Sequence, residues 1–382
     1  MKKIFTLILT TFFFALSSTI VLATLSVEQT FILEEAATKN DKLALETLTK
    51  AANQGDAPAQ CSLGTLYFHG HGLQQNHTEA IKWWQKAANQ NYSLAQYNIG
   101  VAYIDGQGVT QNHQIAASWL LKSANQGFSE AQNNLGVLYE NGNGVKQDST
   151  EAANWYIKSA EQGNPIAQNN IGTLYLVGKG VSQNDMLAFN WFNKAAEQNN
   201  TDAQVNLALL YDKGMGVNRN YSEAAKWLKK AAEMSNALGQ YGLGLHYEQR
   251  LGVTHDYAEA VNWYRKAAES GHLGSQLRLG ALYEQGKGVP QDYAQAVNWY
   301  QTPADKGIPS AQINLANIYR RGYGNVGQNY DLAFVWLNKA SEQGDALGQF
   351  GLAISYANGE GTAQDFKKAA SLYRKSGLPP IS

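Results

Sequence analysis

The sequence is poor in cysteine and proline, and it has no excess of charge of either sign. Among 382 residues there are one cysteine and seven prolines, and 30 lysines and arginines balance 31 aspartates and glutamates. This balance excludes long-range attraction to a polyanion as the main function, so we expect no nucleic-acid partner. Cys61 has no second cysteine with which to form an intrachain disulfide, and packing must therefore stabilise the fold.

Recognisable catalytic and metal-binding patterns are also missing. No spacing indicates a catalytic triad, a zinc-protease helix or a phosphate-binding P-loop, and the carboxylates are scattered rather than paired. The nearest approach to a metal constellation is Cys61 with His69, His71 and His77, and we interpret these histidines as solvent-facing loop residues. We therefore predict a protein that is not an enzyme and that uses no cofactor and no metal.

One uncharged stretch, residues 4–27, lies near the N-terminus. It follows two lysines, and the small residues Val21 and Ala23 occupy the usual positions before a cleavage site. This pattern predicts a signal peptide over residues 1–23 and export to the periplasm or out of the cell, without stable membrane insertion after cleavage. The stretch could also span a bilayer of about 30 Å, so anchoring by an uncleaved segment is the alternative.

A period of 36 residues organises the rest of the chain. A glutamine recurs in all nine units and a tryptophan in eight of them, and self-similarity at such a period indicates stacked units that share a core. Large aromatic side chains contribute strongly to such a core. We predict that the repeated tryptophans form the structural core; they are Trp83, Trp119, Trp155, Trp191, Trp227, Trp263, Trp299 and Trp336.

Each unit has two segments with helical periodicity. In "AQNNLGVLY" (131–139), apolar residues recur at i, i+4, i+7 and i+8, which predicts a first helix, helix A. The segment "STEAANWYIKSAEQG" (149–163) predicts a second helix, helix B. We divide the chain into the signal peptide (1–23), N-terminal capping helices (24–55), a repeat array (56–377) and a tail (378–382). The units start near residues 56, 92, 128, 164, 200, 236, 272, 308 and 345.

Capping residues mark the start of each helix B. An Asn or Asp precedes it, and its side chain can accept hydrogen bonds from the first turn. In five units, Glu79, Glu151, Glu223, Glu259 or Gln295 follows three residues later, which predicts a capping box. The predicted N-caps are Asn76, Asn112, Asp148, Asn184, Asn220, Asp256, Asp292 and Asn329.

A Gly-x-Gly segment joins the two helices, as at Gly142-Asn143-Gly144. A phosphate-binding loop would need a ligand in nearly every unit, so we interpret the segment as a turn that uses the positive φ of glycine. Arg250 replaces the first glycine of its unit, and we expect the turn to differ there. Pro303 lies inside a helix B and predicts a kink or an early end.

The pattern A-Q-x-x-L-G-x-x-Y-x-x-G-x-G-V-x-x-D, followed by A-x-x-W-Y-x-K-A-A-E-Q-G, resembles the Sel-one-like repeat family, a relative of the tetratricopeptide repeat. The resemblance covers about residues 56–375. It implies an all-α fold, a right-handed α/α superhelix (solenoid) of about eight to nine 36-residue helical hairpins. It also implies a scaffold or adaptor that binds proteins, and exported bacterial members include factors used in contact with host cells. A cysteine-rich exported subfamily has a disulfide in each unit, and the single Cys61 departs from that pattern.

Two hypotheses of function follow. The first is an exported, non-enzymatic, monomeric scaffold that binds a partner protein or peptide in the bacterial envelope or in host-cell interaction, as a virulence or entry factor does. The alternative is a periplasmic cell-wall-related protein that binds or modifies peptidoglycan or β-lactam compounds. In either case the sequence has no motif that names the partner.

Five asparagines form a row on helix A, two residues after the repeated glutamine. An amide offers both donors and an acceptor, so such a row can bind a peptide backbone. We predict partner binding by this row; the alternative is that the amides hydrogen-bond within the array. The asparagines are Asn98, Asn134, Asn170, Asn206 and Asn314.

Overall fold

The computed structural model describes residues 25–378. The described residues form two compact units, residues 25–167 and residues 168–378. The described residues contain 20 α-helices and no strand. The predicted signal peptide (1–23) and all but the first residue of the predicted tail (378–382) lie outside the described residues.

Within residues 25–167, antiparallel helices stack in chain order. Each helix A packs along the helix B of its own hairpin and against the preceding helix B. The helices of this unit are α1 (Val27–Thr38), α2 (Lys42–Asn53), α3 (Ala57–His69), α4 (His77–Asn89), α5 (Ser93–Asp105), α6 (His113–Asn125), α7 (Ser129–Asn141) and α8 (Ser149–Glu161).

The second unit repeats this arrangement, and the division between the units falls within α9 (Pro165–Val177). The all-α stack of helical hairpins is thus confirmed within each unit. The other helices of the second unit are α10 (Asp185–Glu197), α11 (Thr201–Lys213), α12 (Tyr221–Glu233), α13 (Ala237–Gln249), α14 (Tyr257–Glu269), α15 (Leu273–Gln285), α16 (Tyr293–Asp305), α17 (Pro309–Arg321), α18 (Tyr330–Glu342), α19 (Ala346–Asn358) and α20 (Phe366–Ser376).

All eight predicted N-caps of helix B are confirmed. Each has an extended backbone and a side chain that accepts a hydrogen bond from the first turn. At α8, for example, Asp148 Oδ1 accepts from the N–H groups of Thr150 at 2.9 Å and Glu151 at 3.1 Å. These bonds satisfy donors that the helix itself leaves unpaired.

The predicted capping boxes at Glu79, Glu151, Glu223, Glu259 and Gln295 are wrong. A capping box needs a free backbone N–H at the N-cap, and the loop uses that group. The N–H of Asp148 donates to the carbonyl of Tyr139 in α7 at 2.9 Å. The same bond recurs at the other four N-caps, so each of these loops is closed onto the end of helix A instead.

The residue after each repeated tryptophan fills the interior of its own hairpin. Tyr156 is 1% exposed and lies against Gly136 of α7, where an added Cβ would be 2.7 Å from the ring. Gly172 has the same relation to Phe192 and Gly280 to Tyr300. The glycines of helix A therefore permit close helix approach, at some cost in helix propensity.

The repeated tryptophans pack between the helix A of their own hairpin and the preceding helix B. Trp155, for example, contacts a cluster that includes Leu120 of α6 and Leu135 of α7. Trp83, Trp155 and Trp336 are buried. The other five are half-buried; they are Trp119, Trp191, Trp227, Trp263 and Trp299.

The Gly-x-Gly turns use their two glycines differently. Gly142 has φ 73° and caps α7 in the left-handed conformation. Gly144 has φ 72°, and a Cβ there would collide with the backbone of His113 at the start of the preceding helix B. The first glycine therefore supplies a conformation, whereas the second also supplies space.

Two sequence predictions about irregular residues need correction. Arg250 was expected to alter its turn, but it adopts the left-handed conformation at φ 61°, and its N–H donates to the His246 carbonyl. The His246 ring also contacts the Leu251 carbonyl through Nδ1 at 2.8 Å, which holds the same turn. Helix α16 runs through Pro303 to Asp305, so the predicted early end is wrong; the proline removes only one bond of the last turn.

Candidate partner-binding surface

The five predicted asparagines lie at equivalent positions of helix A and are all half-buried. In the first unit, Asn98 Nδ2 lies 3.7 Å from Cys61 Sγ. Asn134 is hydrogen-bonded to the Tyr97 hydroxyl and accepts from Asn133 at 3.3 Å. Cys61 and Tyr97 belong to the preceding hairpins, so both amides connect neighbouring repeats.

The row continues in the second unit at Asn170, Asn206 and Asn314. Asn206 Nδ2 donates to Asn169 Oδ1 of the preceding hairpin at 2.9 Å. The Asn314 side chain is hydrogen-bonded to the Tyr300 hydroxyl in α16. An amide with one such bond keeps further donor and acceptor capacity. Partner binding by the row stays a prediction. The bonds described above hold the amides of Asn98, Asn134, Asn206 and Asn314 against the preceding hairpin.

Burial controls the ionisation of the groups beside this row. It raises the pKa of the Tyr97 hydroxyl, as does the negative charge of Glu130, whereas the hydrogen bond to Asn134 lowers it. Burial also raises the pKa of the Cys61 thiol, so that cysteine is a neutral packing residue rather than a reactive thiolate.

A second row, which the sequence reasoning missed, consists of lysines over the repeated tryptophans. Lys158 Nζ lies 3.9 Å from the Trp155 ring centroid, one turn along α8. The spacing W-x-x-K in successive units was the available signal. Such cation–π contacts at exposed sites contribute about 0.5–1 kcal/mol each. The lysines are Lys86, Lys122, Lys158, Lys194, Lys230, Lys266 and Lys339.

A third row pairs a buried glutamine of helix A with an exposed glutamine at the end of helix B in the same hairpin. Gln132 Nε2 donates to the Ala124 carbonyl at 3.1 Å, and its Oε1 accepts from Gln162 Nε2 at 2.6 Å. The signal in the sequence was a second glutamine 30 residues after the repeated one. The other pairs are Gln60–Gln90, Gln96–Gln126, Gln168–Gln198 and Gln312–Gln343.

This pairing fails in three successive repeats of the second unit. Met234, Ser270 and Lys306 occupy the positions of the exposed glutamine. The corresponding buried oxygens, Oε1 of Gln204, Gln240 and Gln276, have no hydrogen-bond partner among the described residues. A buried amide oxygen without a partner is unusual in a folded protein and calls for a physical explanation.

A pocket of about 550 Å³ opens beside one of these unpaired oxygens. Gln240 of α13 contributes to its wall, and Ser270, at the end of α14, lies where other repeats have glutamine. The pocket is comparable in size with the sites that proteins use for small ligands and side chains. Its other lining residues are Ala232, Glu233, Ser235, Trp263, Lys266 and Glu269.

The histidines of the first repeat stack on one another and on Phe68. The ring centroids of His69 and His71 are 5.4 Å apart, and those of Phe68 and His77 are 4.6 Å apart. Partial burial lowers the pKa of His69, and the neighbouring histidines lower it further. Across residues 25–378, no group of His, Cys, Asp and Glu side chains is placed to hold a metal ion. None of the helices in that range is long and apolar enough to cross a bilayer.

Comparison with known families finds matches to the family described as Sel1 repeat along almost the whole described chain. The matched residues are 34–56, 57–92, 93–128, 129–164, 165–200, 201–236, 237–272, 274–307, 309–345 and 346–377. The resemblance inferred from the sequence motifs is therefore confirmed. No curated protein gives a significant match.

Two solved structures are similar in both sequence and fold. One is c5321, a protective antigen present in uropathogenic Escherichia coli strains and displaying an SLR fold. It is 34% identical over 87% of this chain and 79% of its own, with a TM-score of 0.69. The other is a Sel1 repeat protein from Oxalobacter formigenes, 30% identical over 63% of this chain and 95% of its own, with a TM-score of 0.59.

Proposed function

The chain belongs to the Sel1 repeat family, and from that premise we propose that it is an exported scaffold that captures a partner protein or peptide on the helix A surface. Sel1 repeats form solenoid scaffolds that are suited to protein binding and that are typically not catalytic. Beyond protein binding, we propose an exported location, a role at the bacterial envelope or in host contact, and the asparagine row as the binding surface.

One observation carries the choice of surface. Half-buried amides recur at one position of helix A, and hydrogen bonds to the preceding hairpin orient those of Asn98, Asn134, Asn206 and Asn314. An amide that is already fixed by one bond loses little conformational freedom when it binds a peptide backbone. The exposed lysines of helix B, by contrast, are long and flexible, so they are a weaker platform for a specific contact.

Two observations support export and host contact. The first is the predicted signal peptide over residues 1–23, which precedes the described part of the chain. The second is the similarity to the Escherichia coli protein c5321, a protective antigen present in uropathogenic strains. A protective antigen is exposed to the host, and we propose the same kind of exposure for this chain.

Capture of a partner tests the binding surface. We expect residues 24–382, used as bait, to retain a partner that the variant Asn98→Ala/Asn134→Ala loses. The control variant Asn125→Ala/Asn154→Ala changes exposed asparagines of helix B and should retain it. Unchanged capture by the first variant, together with a lowered melting temperature, would show that the row serves the fold alone. Turnover of muropeptides or nitrocefin would favour the cell-wall alternative.

The mass of the protein recovered after expression of the full chain tests export separately. We expect a mature N-terminus at Thr24 and recovery from the periplasm or the medium, because the predicted cleavage follows Ala23. Recovery of the uncleaved chain from the membrane fraction would instead establish the anchored alternative.

A further inference from the structure

A space lies beside the repeated glutamine, between the end of one helix B and the next helix A. The glutamine pairs show which chemical group this gap accepts. In the first repeat, Gln90 Nε2 donates to Gln60 Oε1 at 2.8 Å and to the Gly55 carbonyl at 2.9 Å. One primary carboxamide thus bridges two acceptors that belong to the end of one helix B and the next helix A. The same gap is filled by a glutamine carboxamide in four further repeats.

In the repeat of α13 and α14 this occupant is missing. Ser270 takes the place of the glutamine, and its hydroxyl donates to the Ala267 carbonyl of its own helix at 2.9 Å. It therefore does not reach Gln240, which is 5% exposed. Gln240 Nε2 donates to the Ala232 carbonyl at 3.2 Å, as in the other repeats, and its Oε1 has no partner among the described residues.

The second acceptor position is also retained. Ser235 occupies the position of Gly55 in its repeat and has the same left-handed sign of φ, at 64° against 96°. Both Ser235 and Gln240 line the pocket of about 550 Å³. The pocket therefore combines the glutamine oxygen that receives a carboxamide in five other repeats, the carbonyl position that receives one in the first repeat, and the space that the shorter Ser270 leaves.

The charges around the pocket favour a neutral group over an ion. Glu233 and Glu269 are exposed on its rim, and Lys266 lies over the Trp263 ring at 4.0 Å. Glu233 is also 3.9 Å from Lys229. With carboxylates and ammonium groups interspersed, no net field selects a cation or an anion. The buried determinant is the Gln240 oxygen, and it requires a hydrogen-bond donor.

We propose that the pocket between α12, α13 and α14 binds a primary carboxamide, as on a glutamine side chain of a partner peptide. The N–H₂ group donates to Gln240 Oε1 and to the Ser235 carbonyl, as Gln90 does within the chain. If the carboxamide belongs to a partner protein, the inference rests on the proposed scaffold function. A free carboxamide compound offers the same chemistry, and the two sources are separated below.

Ligand-observed NMR on residues 24–382 tests the proposal with two probes, N-acetylglutamine N-methylamide and free butyramide. We expect binding of the glutamine probe and none of its glutamate or norleucine analogues. Binding of the peptide-like probe alone indicates a partner side chain, whereas equal binding of butyramide indicates a free compound. Either pattern supports a carboxamide site.

Substitutions then locate the site. Ser270→Gln restores the occupant that other repeats use, so it should weaken probe binding about tenfold or more while raising the melting temperature. Ser270→Ala keeps the gap and should retain binding. Gln162→Ser opens the equivalent gap beside Gln132 in the first unit and should add a second site.

Two results would overturn the inference. One is the absence of glutamine-probe binding to the unsubstituted chain, and the other is undiminished binding to Ser270→Gln. Capture of the partner by the unsubstituted chain is measured in parallel. If capture persists while the probe does not bind, the pocket proposal fails and the scaffold function stands. If the probe binds and no partner is captured, the scaffold proposal fails instead.

Discussion

The repeat at residues 128–163 and the repeat at residues 236–271 share a core but differ at their exposed ends. Leu135 and Leu243 are each 1% exposed, and Tyr156 and Tyr264 fill the same interior position. At the exposed ends, however, Gln162 corresponds to Ser270 and Gly142 corresponds to Arg250. A solvent-facing residue therefore decides whether the buried glutamine amide has a hydrogen-bond donor, without any change in the core.

The largest effect is expected where the two repeats agree, at the second glycine of the turn. Gly144→Ala forces a left-handed alanine and a collision with His113, so we expect a loss of about 3 kcal/mol or more in the free energy of unfolding. Gly142→Ala should cost about 1–2 kcal/mol, because the left-handed conformation is penalised while the added Cβ comes closest to the Cβ of Gln147, at 3.1 Å, rather than to backbone. Urea unfolding measures both, and equal losses would contradict the assigned roles.

The next effect tests the glutamine pair directly. Gln162→Ala leaves Gln132 Oε1 buried without its donor, so we expect a loss of about 1–3 kcal/mol. The matched substitution Ser270→Ala removes no bond to Gln240 and should change stability by less than about 0.5 kcal/mol. Denaturant unfolding should therefore give clearly different free energies of unfolding for the two variants. Equal effects would mean that the pair contributes nothing to stability.

A glycine at position 250 should make the turn of the repeat at residues 236–271 more similar to that of the repeat at residues 128–163. Arg250 adopts φ 61°, a left-handed conformation that residues other than glycine occupy at a cost of about 1 kcal/mol. Arg250→Gly is thus expected to raise the free energy of unfolding by about that amount. A thermal melt checks it, with Arg219→Gly as a control at an exposed loop position. Destabilisation by Arg250→Gly would show that the arginine side chain itself stabilises the turn.

The smallest expected effect concerns the lysine–tryptophan row. Lys158→Ala removes the ammonium group 3.9 Å from the Trp155 ring and should cost about 0.5–1 kcal/mol. Thr302 occupies the lysine position beside Trp299, so Thr302→Lys should recover up to the same amount. Melting curves in low and high salt measure both. A loss that persists unchanged in high salt would argue for packing by the lysine stem instead.

Much of the fold could be predicted because its signals are local. The 36-residue period, the apolar spacing of residues 131–139 and N-caps such as Asp148 each act within one hairpin. The capping box at Glu151 could not be judged from spacing, because the competing acceptor, the Tyr139 carbonyl, approaches only when the loop folds back. The early end predicted at Pro303 is wrong because the backbone hydrogen bond that proline cannot donate falls in the last turn of α16.

The candidate sites depend on contacts between residues that are far apart in the sequence, and such contacts are harder to predict. Gln132 and Gln162 lie 30 residues apart, at the start of helix A and the end of helix B, and meet only when the two helices of their hairpin pack antiparallel. Their pairing was therefore invisible until the helices were placed, although the recurrence of the second glutamine was present in the sequence. The pocket beside Gln240 is harder still, since it arises from a residue that one repeat has lost.

Hydrogen–deuterium exchange of residues 24–382, with and without the captured partner, shows directly whether the partner binds on helix A. We predict that the partner increases protection on helix A around Asn98 and Asn134 and leaves the protection of the helix B segments around Lys122 and Lys158 unchanged. Protection confined to the lysine–tryptophan row of helix B, with none on helix A, would contradict it.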